Sequence, residues 1–133
     1  MQEGLNMEKE VVQKALDLFV RIGKTGKGRR KIADYEHVYQ FEVDGSPSFY
    51  VELKQGVIRV DSGAFKGAYE KVSLIKTDSE TLKGILKGKV RLLDASSQGK
   101  WVIRVRNYSG ELLYTLLRIG REITIQDLLA AQS

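Results

Sequence analysis

Residues 37–60, HVYQFEVDGSPSFYVELKQGVIRV, decide the fold. Apolar side chains recur there at every second position: Tyr39, Phe41 and Val43, then Phe49, Val51 and Leu53, then Ile58 and Val60. A period of two places each set on one face of a strand. The connectors, Asp44-Gly45-Ser46-Pro47-Ser48 and Gln55-Gly56, are short and built from turn formers, so the three strands read as a consecutive antiparallel meander.

Upstream the period changes. In residues 7–22, MEKEVVQKALDLFVRI, Val11, Val12, Ala15, Leu16, Leu18, Phe19 and Ile22 fall at spacings of three and four, which predicts an amphipathic helix with Asn6 as its N-cap and Gly23 at its end. A basic loop is expected over 23–34. Downstream, a fourth strand KVSLIK is expected with Val72 and Leu74 inward. Thr77-Asp78-Ser79-Glu80 then has capping-box spacing and opens a helix carrying Leu82, Ile85 and Leu86. Residues 90–98 read equally as a short helix or a loop. KWVIRVR follows as a fifth strand, with Trp101, Ile103 and Val105 inward. Leu112, Leu113, Leu116 and Leu117 suit a short buried helix, and Thr124 caps a separate C-terminal helix over 124–131. Helices that interrupt a sheet and gather on one of its faces make an α+β domain. We therefore expect one domain over residues 1–133, with its core in 35–118.

Composition narrows the chemistry. The 133 residues include no cysteine and one histidine, His37, so thiol nucleophiles, Cys-based zinc sites and multi-histidine metal sites are excluded. No serine sits in a GxSxG elbow, and His37 reads as a surface or hydrogen-bonded histidine rather than a base. Neither a catalytic site nor a cofactor is expected. Apolar runs are far below the ~20 residues that span a bilayer, and MQEGLNMEKE lacks the order of a secretion signal, so a cytoplasmic setting is the expectation.

The formal charge is +5, and its source is local. Residues 24–31, KTGKGRRK, hold five of the 22 cations (Lys24, Lys27, Arg29, Arg30, Lys31), leaving 17 against 17 acids. The segment comes near the phosphate-binding GxxxxGK[ST], but Arg29 and Arg30 replace its lysine and hydroxyl, and a helix rather than a strand precedes it. It reads either as a solvated connector or as a contact for an anionic membrane surface. A nucleic-acid module is the alternative, using this segment with Arg104, Arg106, Tyr35, Tyr39 and Tyr50.

Four stretches, Val38–Asp44, Phe49–Val60, Val72–Glu80, and Leu82 through Gly88-Lys89 to Gly99-Lys100 and Trp101–Arg106, together resemble the sterol carrier protein type-two family of lipid-binding domains. The resemblance covers about residues 35–118. It implies a five-stranded, largely antiparallel sheet with helices on one face, enclosing an apolar tunnel for a fatty acyl chain, phospholipid or sterol-like molecule, with no chemistry performed, either alone or beside a lipid-metabolising enzyme. The walls would come from Phe41, Val43, Phe49, Val51, Ile58, Val60, Leu74, Leu82, Ile85, Leu86, Trp101, Ile103, Leu112, Leu113 and Leu116. Burying one methylene is worth about 0.8 kcal/mol, so a sixteen-carbon chain offers roughly 10 kcal/mol before ordering costs. By pattern alone, the same side chains read as an interdigitated solid core, and only the resemblance favours a cavity. Phe65, isolated in SGAFKGAY, reads as a plug at the tunnel mouth, a membrane contact or a loop anchor.

Overall fold

The computed structural model describes residues 2–67, 72–104 and 109–132. Helix α1 (Gln2–Lys24) is followed by α2 (Gly26–Ile32), β1 (His37–Asp44), β2 (Phe49–Lys54), β3 (Val57–Ser62), β4 (Val72–Asp78), α3 (Ser79–Leu86), α4 (Leu92–Ser97), β5 (Trp101–Arg104) and α5 (Ser109–Gln132). The strands form one sheet in the order β3-β2-β1-β4-β5. The meander is present, with Phe41 opposite Phe49 and Val51 opposite Val60. β4 crosses back to run parallel to β1, and β5 closes the far edge antiparallel to β4.

The inner face is a continuous apolar layer. Phe41 stacks on Phe49 at a ring separation of 4.5 Å, with Phe19 of α1 at 5.8 Å and Trp101 of β5 at 6.0 Å. From α1, Val11, Val12, Ala15, Leu18, Phe19 and Ile22 are buried against this layer, as their spacing predicts. Helix α1 begins at Gln2, so Asn6 lies inside it rather than capping it.

β4 is one residue out of the expected phase. Ile75 pairs with Phe41 and with Ile103, which places Ser73, Ile75 and Thr77 on the inner face, all buried. Val72 and Leu74 are half-buried on the outer face, so Leu74 is not part of the inner wall. A shift of one residue exchanges the faces of a whole strand. It is tolerated here because both inward hydroxyls are hydrogen-bonded. Ser73 Oγ lies 2.7 Å from His37 Nε2, and Thr77 Oγ1 donates to the Lys100 carbonyl at 2.8 Å. With Thr77 engaged in the strand, the cap of α3 moves on by one: the Asp78 carboxylate accepts from the Thr81 N–H at 2.7 Å and from its hydroxyl at 2.8 Å.

The basic segment is helical rather than a loop. The Thr25 hydroxyl accepts from the Gly28 N–H at 2.9 Å and starts α2, while Ile32 anchors its other end in the core. At the C-terminus, the two expected helices are one. α5 runs through Gly120, where a Cβ would stand 3.0 Å from Leu18 Cδ2 and 3.1 Å from Ile22 Cδ1. Glycine there permits close packing of α5 on α1 and does not end the helix. Thr124 is interior, its hydroxyl donating to the Gly120 carbonyl at 3.1 Å. Residues 92–97 resolve as helix α4. Val105 and Arg106 lie outside the described residues.

After β3 the chain crosses the outer face of the sheet. The Phe65 ring packs edge-on against Tyr50 at 5.3 Å, its N–H donates to Gln40 Oε1 at 2.7 Å, and Gln40 Nε2 donates to the Gly63 and Phe49 carbonyls. Phe65 is thus a loop anchor, on the side of the sheet away from the helices.

Candidate functional site

β5 has four residues, and α4, six residues long, spans the gap between this edge and α5. An apolar crevice of about 600 Å³ opens there, lined by Leu92, Leu93, Ser96, Trp101, Ile103, Glu111, Leu113, Tyr114 and Thr115. Its floor is the inner-face pair Trp101 and Ile103 with Leu113 of α5. Trp101 is only 3% exposed, yet it lines the crevice. The rim is greasy: Leu93 is 67% and Tyr114 38% exposed.

A second crevice of about 250 Å³ shares Leu92, Leu93 and Tyr114 with the first. Beyond that shared wall it is lined by Ile85, Val90 and Leu117, and by Arg91, Arg118 and Arg121. A third depression, about 380 Å³, lies among α1, α3 and α5, with Val11, Leu18 and Leu86 at its base and Lys14, Lys83, Lys87 and the Arg21–Asp127 pair around it. Repulsion from Lys83, then desolvation and the charges of Lys89 and Lys14, holds the Lys87 ammonium below its ordinary pKa.

Of the residues expected to line a tunnel, Trp101, Ile103 and Leu113 meet in the first crevice, and Ile85 in the second. Leu86 lies at the third. Phe41, Val43, Phe49, Val51, Ile58, Leu82, Leu112 and Leu116 are buried core residues, with Val60 packed beside them. Leu74 is on the opposite face. The sequence reading missed Leu92, Leu93 and Tyr114. For Leu92 and Leu93 the signal was an adjacent Leu-Leu pair, since neighbouring residues of a helix point in different directions and both cannot turn inward; Tyr114, in α5, gave none.

His37 is buried and hydrogen-bonded to Ser73, with its ring 5.0 Å from that of Tyr39. Lys24, Lys27, Arg29, Arg30 and Lys31 are all exposed, and Lys27 Nζ contacts Glu122 of α5 at 3.3 Å. The tyrosines considered for base stacking do not share a surface: Tyr39 is fully buried, Tyr50 is under Phe65 and Tyr35 is exposed. Among the described residues no cluster of three or more His, Asp or Glu is placed to hold a metal, and no helix is long and apolar enough to cross a membrane.

Among solved structures, the fold is similar to the sterol carrier protein domain 2 of Helicoverpa armigera (TM-score 0.70, 18% identity, covering 86% of this chain and 91% of that one). It is similar to Sterol Carrier Protein 2 Like 2 from Aedes aegypti (TM-score 0.57, 23% identity, 81% and 94%). It also resembles part of the stereoselective inverting sec-alkylsulfatase Pisa1 from Pseudomonas sp. (TM-score 0.55, 17% identity), where 68% of this chain spans 14% of the larger one. No curated protein matches the chain by sequence. The description of the SCP-2 sterol transfer family, however, matches residues 16–104, from the middle of α1 to the end of β5. That span holds the five strands of the sheet, the helices α2 to α4 and, of the crevice floor, Trp101 and Ile103, and so the chain belongs to the SCP-2 sterol transfer family.

Proposed function

We propose that this protein binds and carries a hydrophobic small molecule, a fatty acyl chain or other lipid, without acting on it chemically, and that the molecule lies in the crevice between α4, β5 and α5. The observation that carries the reading is the crevice itself. At about 600 Å³ it is within the size range of small-molecule sites, and its walls are mostly apolar, with Ser96, Thr115 and Glu111 as their polar residues. Membership of a sterol transfer family and the similarity to sterol carrier folds support it. The aromatic stack of Phe41, Phe49 and Trp101 fills the middle of the domain, so the ligand enters from the β5 edge and reaches inward as far as Trp101.

Trp101, the chain's one tryptophan, is the reporter. A naturally fluorescent polyene fatty acid should show saturable uptake at micromolar concentration, with energy transfer from Trp101. Leu93→Glu, an exposed change that leaves the fold intact, should weaken uptake about tenfold, the equivalent of losing one leucine's apolar contact. Absence of energy transfer, or full uptake by Leu93→Glu, places the ligand elsewhere or nowhere.

A further inference from the structure

The depression of about 380 Å³ among α1, α3 and α5 gathers cations from all three helices. Lys14 comes from α1, and Lys83 and Lys87 stand one turn apart at the end of α3. Gly88, with a φ of 73°, turns the chain there, and the Arg121 side chain of α5 lies against it: a Cβ on Gly88 would stand 3.5 Å from Arg121 Cγ. The acids at the depression are largely committed. Asp127 is paired with Arg21 at 2.6 Å and Asp17 accepts from the Gln13 amide at 2.9 Å, which leaves Glu10 without such a contact among the described residues. Lys14, Lys83, Lys87 and Lys89 take part in no ion pair among the described residues. Lys87 is exposed, while Val11, Leu18 and Leu86 give the depression its apolar base.

We propose that this depression is a modification site for small acyl phosphates such as acetyl phosphate: Lys14 and Lys83 hold the phosphate, and Lys87 Nζ takes up the acyl group. The neighbouring ammonium groups act in two ways. Their field disfavours one more positive charge, so a larger share of Lys87 is present as the free amine, which is the nucleophilic form. The same field concentrates a dianionic reagent beside that amine. The step balances without a cofactor. The Nζ lone pair attacks the carbonyl carbon, and a C–N bond forms as the C–O bond to phosphate breaks. Inorganic phosphate leaves with that electron pair, and the amine proton passes to water. The amide product is uncharged, which removes the repulsion between Lys83 and Lys87. This site shares no residue with the crevice at Trp101 and does not depend on the lipid-carrier reading.

The test incubates the full chain with acetyl phosphate at mildly alkaline pH and low salt, and reads acetylation site by site by peptide mass spectrometry. The exposed Lys54 and Lys66, outside the depression, serve as references. Lys87 should be acetylated about fivefold faster than either, and this lead should shrink at high salt. With N-acetoxysuccinimide, an uncharged acetyl donor, the lead should be smaller. Lys14→Gln/Lys83→Gln, which touches no residue of the buried core, should bring Lys87 down to the rate of the references with circular dichroism unchanged, whereas Lys14→Arg/Lys83→Arg should keep the lead. Acetylation of Lys87 no faster than that of Lys54 and Lys66 overturns the proposal, as does a lead that survives in the double Gln variant. An equal lead with both reagents would make Lys87 a reactive amine without a phosphate site, and likewise overturns it.

Discussion

Gly28 stands in α2 where a Cβ would fall 2.0 Å from the Ile22 carbonyl oxygen and 2.9 Å from the Thr25 hydroxyl that caps the same helix. Replacing a helical glycine by alanine ordinarily stabilises by up to about 1 kcal/mol. Here the sign reverses, because the clash is with backbone at the tight junction of α1 and α2. Gly28→Ala should destabilise by about 1–3 kcal/mol, in the range of overpacked sites, in urea unfolding. A neutral or stabilising result would mean that the junction is looser than its geometry. Tyr39 makes a second point at this scale. Burial in the inner layer, with a smaller contribution from the charge of Tyr35, raises its phenol well above the ordinary value near 10. The folded state keeps this proton while the unfolded chain releases it above pH ~10, so stability falls as the solution becomes more alkaline than that. In an absorbance titration of the phenols, the last one should ionise only together with unfolding.

At the scale of the element, α2 carries the basic segment outward as a helix. Thr25 and Ile32 hold its ends, and Lys27 is engaged with Glu122, which leaves Lys24, Arg29, Arg30 and Lys31 directed to solvent. We propose these four as the contact with an anionic membrane surface, where each cation adds about 1 kcal/mol. Changing all four to Ser should lower adhesion to phosphatidylserine vesicles at least tenfold at low salt, with unchanged adhesion to neutral vesicles. Equal adhesion to anionic vesicles would reduce the segment to a connector. The elements also show why some parts of the chain were legible before the structure. α1, β2 and β3 announce themselves because each buries one face, and a single buried face leaves one clean period in the sequence; β1 keeps that period through Tyr39, Phe41 and Val43 although Val38 is buried on its other face. β4 misled because both of its faces are partly covered: its two outward apolar residues, Val72 and Leu74, outnumber Ile75 on the inner side. α4 was indistinct because it buries Ala95 as its one fully enclosed side chain and leaves Leu93 in solvent.

For the molecule as a whole, the first and last helices are bound to each other as well as to the sheet. Arg21 of α1 and Asp127 of α5 form a two-pronged pair at 2.6 and 3.1 Å, and this pairing holds the Asp127 carboxylate below its ordinary pKa. A depressed carboxylate contributes stability that is present above the unfolded pKa of about 3.9 and is lost as pH falls through the lower folded value. Asp127→Asn should therefore lower Tm slightly near neutral pH, as expected of an exposed pair, and the difference from wild type should vanish in strong acid. A Tm gap that persists or widens in strong acid would show that the pair does not link these helices.

The sequence alone determined that this is an α+β domain with a three-stranded meander, without thiols or a second histidine, and with Phe19, Tyr39, Phe41, Phe49 and Trp101 turned inward. These properties follow from local periodicity and composition, which neighbours along the chain already express. Only the tertiary structure decided the phase of β4, the continuity of α5 through Gly120, and the place where the apolar interior opens. Each of these depends on residues far apart in the chain: Phe41 opposite Ile75, Gly120 against Leu18, and Leu93 and Tyr114 lining one crevice with Trp101.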